Sequence, residues 1–263
     1  DWEGWLCEFG PGQIEFNVAP ADPLGTADSI LRVKSVMREV AGELGRSVTF
    51  MSKPIVGYAN GLHINHSLQR DGEPAFLDPA AADGRSDTMR HWLGGLMASM
   101  PASMSFFAPC ITSYRRLEID GPPLNVTWGE NNKTTAIRSV TRSPKETRLE
   151  HRGPSGDANP YLAIAAVLAG GIRGLEDRLE PPPEFRGMAW GAPPAAVEPL
   201  PDTITRAAEA LRRDERFGEI MGPELVRHWC ESRRWEWLMF HTTGGDPDAF
   251  TGPWERHRYF EWV

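Results

Sequence analysis

In the run Arg148-Leu149-Glu150-His151-Arg152 a charged residue stands at every second position. Successive side chains of a strand point to opposite faces, so an extended run puts Arg148, Glu150 and Arg152 on one face and Leu149 and His151 on the other. A row of cation, carboxylate and cation suits a site that holds anions together with a metal ion. The plainer reading is a charged edge strand, since charged side chains protect sheet edges.

Three further sets of residues bear on that choice. Glu8 and Glu15 flank Gly10-Pro11-Gly12-Gln13. If those four residues make the turn, Phe9 pairs with Ile14 and Glu8 faces Glu15, about 5 Å apart at Cβ. Like charges so placed persist when one is protonated or a cation lies between them; a solvated hairpin end is the alternative. His63 shares a strand face with Asn65 and Ser67. A lone histidine serves structure as readily as it ligates a metal. Lys133, Arg138, Lys145, Arg148 and Arg152 form either a solvated basic face or a phosphate cradle. Arginine suits the cradle because its planar fork grips phosphate or carboxylate with two hydrogen bonds.

The elements that must position these residues follow from periodicity and punctuation. Residues 5–16 read as two short strands. Thr26 to Arg46 reads as an amphipathic helix through Ile30, Val33, Met37, Val40 and Leu44, stopped at Gly45. Ser47 to Ile55 and Gly61 to Leu68 read as strands, the first ended by Lys53-Pro54. A turn-rich stretch around Asp78-Pro79 and Asp83-Gly84 precedes the uncharged run Trp92 to Tyr114. That run is long enough to cross a bilayer, but its Gly, Ser and Pro content predicts a buried segment. Ser113 to Arg138 mixes short strands with a loop at Gly121-Pro122-Pro123. Asn159-Pro160 is a helix start, with Asn at the N-cap and Pro in the first turn. Pro181 to Pro201 predicts an extended crossover within one domain. Asp202 opens a helical pair, and the aromatic end, Trp254 to Phe260, docks on the body. The order suggests an α+β chain with helices covering an antiparallel or mixed sheet.

Composition narrows the field. The chain has 263 residues, 40% hydrophobic content and net charge -8. That length buries a substantial core. No basic run advertises nucleic-acid binding. Cys7, Cys110 and Cys230 show no metal-type pairing and fit a reducing compartment. The expected setting is cytoplasmic, with no nucleic acid and no membrane as partner. No signal peptide is visible, and a start at Asp1 reads as a piece of a longer chain.

Taken in order, Glu8-Phe-Gly-Pro-Gly-Gln-Ile-Glu15, Lys53-Pro54, Asn60-Gly-Leu-His63, Ser113-Tyr-Arg-Arg116-Leu, Trp128-Gly, Ile137-Arg138, Arg148-Leu-Glu-His-Arg152, Asn159-Pro-Tyr-Leu162 and Trp254-Glu255…Arg258-Tyr259 resemble the catalytic domain of the glutamine synthetase family. The resemblance covers nearly the whole chain, residues 1–263. It implies a glutamine synthetase/guanido kinase-like fold, a curved antiparallel sheet covered by helices. It implies Glu8, Glu15, His63 and Glu150 as ligands of Mg or Mn, an oxygen-rich set right for either ion. Gly61, Arg116 and Arg152 correspond to glutamate-binding positions, with Arg116 and Arg152 also catalytic. Asn65, Ser67, Lys133, Arg138, Lys145 and Arg148 fall at ATP-binding positions. The implied partners are ATP, L-glutamate and an amine. The implied chemistry is phosphorylation of the glutamate side-chain carboxylate, then displacement of phosphate by the amine.

This chain departs from the family pattern at several points. The amino-terminal β-grasp domain and the strand with two further acidic ligands are absent from it. It is therefore expected to be inactive as an isolated fragment, with the ring-type homo-oligomer belonging to the full-length protein. Gly121 or Pro122 stands where glutamine synthetases place a flap glutamate before Ala-Pro, and Glu118 and Asp120 are out of register. Relatives that use organic amines also tend to lack that acid. Lys133 replaces an arginine, losing the two-pronged grip. Asn65 replaces a histidine, and Thr112 an asparagine. The expected function is thus an ATP-dependent glutamate–amine ligase, with an organic amine favoured. The alternatives are an ordinary glutamine synthetase using ammonium, and a non-catalytic structural or regulatory homologue.

Overall fold

The first two strands, β1 (Trp2–Cys7) and β2 (Ile14–Val18), form an antiparallel hairpin of their own in a computed structural model that describes residues 2–119, 121–190 and 197–263. Their register differs from the expected one. Cys7 pairs with Ile14 and Leu6 with Glu15, and Glu8 N donates to Gln13 O at 3.0 Å. Glu8 therefore stands opposite Gln13, two positions from Glu15. The reason lies in Gln13: its backbone N–H closes the turn on Gly10 O, and its side-chain Oε1 accepts from Gly10 N. Gly12 takes a φ of +69°, which Pro-Gly supplies at the centre of such a turn. A slip of two residues keeps every side chain on its face, so both acids remain on one side of the ribbon.

Helix α1 (Pro23–Glu43) starts earlier than the apolar spacing suggests, because Asp22 caps it, accepting from Leu24 N and Gly25 N, and Pro23 fits the first turn. Gly45, with φ +64°, follows its end. The expected strand over residues 47–55 does not form. Its backbone is claimed by neighbouring loops instead: Asn60 N donates to Ser52 O, Asn60 Nδ2 to Met51 O, and Asp157 accepts from Ser52 N. Pro54 also lacks the N–H that a ladder needs. The strand expected at 61–68 is regular only as β3 (Ile64–His66). A small ribbon, β4 (Gln69–Arg70) and β5 (Glu73–Pro74), follows it.

The uncharged run lies in α2 (Asp87–Phe107), capped by Ser86 and buried along most of its length, and in the short α3 (Ile111–Arg115), which leads into a tight turn at Arg116–Glu118. No helix among the described residues is long and apolar enough to cross a membrane. Strands β6 (Trp128–Glu130), β7 (Ile137–Val140) and β8 (Arg148–His151) join β3 in a sheet of order β3-β8-β7-β6. The sheet is mixed: β3–β8 and β7–β8 are antiparallel, whereas β6 runs parallel to β7. Its inner face, with Ile137, Ser139, Leu149 and His151, is buried. Phe107 and Trp92 of α2 meet His151 and His66 there.

Helix α4 (Pro160–Asp177) begins as its Asn-Pro signal predicts, Asn159 accepting from Tyr161 N and Leu162 N. It lies backbone to backbone on α2. A Cβ on Gly95 would sit 2.1 Å from Gly170 O, and one on Gly174 2.0 Å from His91 O. Only glycine permits so close an approach. The proline-rich segment shows no helix or strand in its described part, apart from one bridge between Asn125 and Pro199; residues 191–196 lie outside the described residues. Three helices follow where a pair was expected: α5 (Ile204–Arg213), α6 (Glu215–Met221) and α7 (Pro223–Thr242). Thr203 and Asp214 cap α5 and α6, so the polar Asp214 splits one expected helix into two. The final helix, α8 (Pro253–Tyr259), docks as expected. Glu236 of α7 takes both Arg258 and the Tyr259 hydroxyl, at 2.6–2.7 Å.

Candidate active site

The outer face of the mixed sheet carries the charged residues. Asn65, Glu150 and Arg138 lie in one row across β3, β8 and β7, because Asn65 pairs with Glu150 and Arg138 pairs with Glu150. Alternation then puts Arg148 and Arg152 beside Glu150, and His63 and Ser67 beside Asn65. The opposite side of the same strands supplies the buried core, which fixes which face looks outward.

Glu150 is the centre of this face and is 5% exposed. Its Oε1 accepts from Arg152 Nη1 at 2.5 Å, and its Oε2 accepts from Arg138 Nη1 at 3.0 Å. His63 Nδ1 lies 3.4 Å from Oε1. Burial pushes the Glu150 carboxyl up, but Arg152, His63 and Arg138 together hold it below the usual carboxylate range. Desolvation beside the cations Arg152, Arg116 and Lys133 outweighs Glu150 and lowers His63 to about 3, leaving its ring neutral at ordinary pH, although the side chain keeps 37% of its surface exposed. A neutral ring keeps a lone pair free for a metal.

Arg116 is 3% exposed and its guanidinium donates to Gly153 O at 2.9 Å and Arg152 O at 3.3 Å. Burial lowers it to about 10, so it stays charged at neutral pH. Gly61 packs against it: a Cβ there would lie 3.2 Å from Arg116 Nη2 and 3.4 Å from His63 Nε2. The structure thus brings Gly61, His63, Arg116, Arg138, Glu150 and Arg152 into one cluster. Arg148 lies at its edge, donating to Asn65 Oδ1 at 3.0 Å and to Glu146 O. Ser67, Lys133 and Lys145 are exposed and, among the described residues, enter none of these hydrogen bonds.

The hairpin acids approach the cluster from another side. The Glu15 carboxyl is raised by burial and by its contact with Glu8, with a smaller repulsion from Glu150. Two carboxylates held together in this way suit a shared cation. Among the described residues, no three His, Cys, Asp or Glu side chains are gathered into a ready metal shell. The donors fit Mg or Mn by type, all oxygen apart from one imidazole. Glu150, however, is gripped by two arginines in the arrangement seen here.

Three residues that sequence reasoning passed over complete the site. Gln13 Nε2 donates to Ala59 O and to Asn60 Oδ1, tying the acidic hairpin to the Gly61 loop. Lys34 Nζ donates to Gly156 O at 2.7 Å, and Asp157 is buried against Ser113. Nothing in the spacing of these residues sets them apart; only the amphipathic face of α1 places Lys34 inward.

A family model described as "Glutamine synthetase, catalytic domain" matches residues 1–259. A glutamine synthetase of Frankia alni is 36% identical over 234 residues, covering 85% of this chain and 49% of its own length. A glutamate–isopropylamine ligase of Pseudomonas sp is 32% identical over 262 residues, covering 98% and 56%. A solved GmaS/ADP complex, GmaS being a γ-glutamylmethylamide synthetase, superposes with a TM-score of 0.83 at 30% identity, covering 98% of this chain and 59% of that one. The chain spans about half the length of the curated relatives it matches. The ordered motifs, the charged sheet face and these likenesses agree, and the chain belongs to the glutamine synthetase family as its catalytic domain.

Proposed function

We propose that this chain is the catalytic part of an ATP-dependent glutamate–amine ligase whose nitrogen donor is an organic amine. The observation that carries the ligase reading is the gathering of Gly61 and Arg116, from adjoining loops, against Arg138, Glu150 and Arg152 at one face of the sheet. In the reaction, the side-chain carboxylate of glutamate attacks the γ-phosphorus of ATP, ADP leaves, and an acyl phosphate forms. The amine nitrogen then attacks the acyl carbon, phosphate leaves with the bonding pair, and the amine gives up a proton.

Arg116, charged and set against Gly61, binds the glutamate carboxylate. Arg138 and Arg152 face the charge that develops on the transferred phosphoryl group. Asn65, Ser67, Lys133, Lys145 and Arg148 line the nucleotide side. Glu8, Glu15, His63 and Glu150 would hold the divalent ions, which supply charge neutralisation on the phosphates.

Gly121-Pro122 in place of the flap acid supports the organic amine, as does likeness to a glutamate–isopropylamine ligase and to GmaS. Identity of 36% to a glutamine synthetase favours ammonium as the second reading. Phosphate release by the full-length protein, supplied with ATP, glutamate and either ammonium, methylamine or isopropylamine, decides between them. An alkylamine is expected to exceed ammonium about 10-fold or more in kcat/KM, equivalent to about 1.4 kcal/mol. Turnover with ammonium alone rejects the organic amine. ATP binding without turnover on any amine rejects the ligase.

A further inference from the structure

Asp157 is a buried acid that the chemistry above does not use. It is 7% exposed, and its carboxylate accepts from Ser113 Oγ at 3.0 and 3.1 Å, from Ser155 Oγ, and from Ser52 N at 3.3 Å. A buried carboxylate without a direct cation partner is costly, and an apolar side chain would pack such a loop more cheaply. The contacts show what the acid is placed to do.

The loop from Arg152 to Asp157 grips Arg116 at two points. The carbonyls of Arg152 and Gly153 hold its guanidinium. Asp157 holds Ser113, one helical turn ahead of it in the chain. The same loop also fixes the Gly61 segment: Gly156 N donates to Asn60 O at 3.0 Å, and Leu62 N donates to Pro154 O at 2.9 Å. Ser52, the third segment on the Asp157 carboxylate, accepts from Asn60 N at 2.8 Å through its own carbonyl. Asp157 thus joins the segment before Arg116, the segment before Lys53 and the loop beneath Gly61.

We propose that Asp157 is a positioning residue that sets the distance between Arg116 and the Asn60–Gly61 loop, and so the fit of the glutamate α-amino-acid end. This rests on the ligase reading for the identity of the ligand. Asp157 touches neither substrate nor nucleotide. Its loss acts through misplacement, and a shift of about 1 Å at a reacting or binding group costs up to about 100-fold. The effect falls on glutamate, because the Asp157 contacts reach Arg116 and Gly61 and none of the nucleotide-side residues.

Two variants of the full-length protein test this. D157N keeps the shape and one acceptor but loses the charge, and S113A removes the link to Arg116 together with the hydrogen bond from Cys110 N to Ser113 Oγ at the start of α3. Each is expected to raise KM for glutamate about 10-fold or more, with KM for ATP within about twofold of wild type. D157E, which restores the acceptors, is expected to recover part of the loss in KM. Unchanged KM for glutamate in S113A overturns the inference, as does a parallel rise in both KM values. If D157N does not fold, S113A decides. If the wild type turns over no amine, the ligase reading fails, and titration of L-glutamate into wild type and S113A by calorimetry becomes the readout. Weaker binding in S113A then supports the inference; equal affinity, or no binding to either protein, overturns it.

Discussion

Arg152 Nη1, one residue past the end of β8, lies 2.5 Å from Glu150 Oε1 within it. With Arg138 on the second oxygen, the carboxylate is neutralised twice over by the arginines expected to face phosphate. The outer face of the sheet therefore carries net positive charge, one carboxylate against Arg138, Arg152 and Arg148. A divalent ion held by Glu150, as proposed above, would compete with the arginines and would free them to turn towards an incoming phosphate.

Replacing Glu150 by Gln leaves two arginines without their counter-charge. Breaking one partner out of a buried pair costs about 3–5 kcal/mol. The expected result for E150Q is a lower unfolding midpoint and loss of metal-dependent ATP binding. Calorimetric titration of ATP with Mg into the full-length variant checks it, and unchanged affinity would remove Glu150 from the metal set.

Divalent ions should raise stability only when their acidic ligands are intact. A ligand at 100 times its Kd adds about 2.7 kcal/mol to the folded state. Thermal unfolding of the full-length protein with MgATP is expected to shift upward, and EDTA to reverse the shift. Glu15→Ala together with Glu8→Ala should abolish most of it. A shift of the same size in that double variant would place the metal elsewhere.

Lys34 gives a pH signature. Burial lowers its ammonium to about 8 from an ordinary 10.5, with Asp157 opposing the shift. Between those two pH values the unfolded chain binds the extra proton, so stability contributed by this site rises with pH across the window. Below pH 8 the full cost of the buried charge is present. The span is of order 3 kcal/mol at about 1.4 kcal/mol per pH unit. Burial raises the thiol of Cys110 and the phenols of Tyr114 and Tyr259, which works the other way at alkaline pH. Those groups are common to both proteins in a comparison of wild type with Lys34→Met. Urea titrations at pH 8 and pH 10 should show wild type gaining on the variant; parallel behaviour would contradict the shift.

The α2–α4 contact predicts a severe local effect. Gly95→Ala would put its methyl 2.1 Å from Gly170 O, within the backbone of the other helix. Overpacking of this kind typically costs 1–3 kcal/mol or more, about as much as a small domain can spare. The expected outcome is a lower denaturation midpoint, or insolubility, with Gly42→Ala, whose Cβ meets nothing within 4 Å, as the tolerated control.

What could be read from the sequence was local. The Asn159-Pro160 cap, the alternation of Arg148, Glu150 and Arg152, and the burial of the run from Trp92 each follow from a few neighbouring residues, and the structure shows all three. The hairpin register was not legible, because it depends on a side-chain contact from Gln13 to Gly10 that no turn rule encodes. The missing strand at 47–55 fails for a non-local reason: its partners are Asn60 and Asp157, the latter about a hundred residues away. The grip of Arg138 and Arg152 on one carboxylate needed the β7–β8 pairing, which spacing within either strand does not specify.

Gln13 carries one last consequence. The ribbon it ends is exposed along Trp2, Trp5 and Phe9, while its amide reaches Ala59 and Asn60. Glu8 and Glu15 therefore sit on a ribbon held to the body by the Gln13 amide at its tip and by Phe16 against Phe50 further along. A bend of the ribbon would be felt through Gln13 at the loop that faces Arg116, which would couple the acid pair to Gly61.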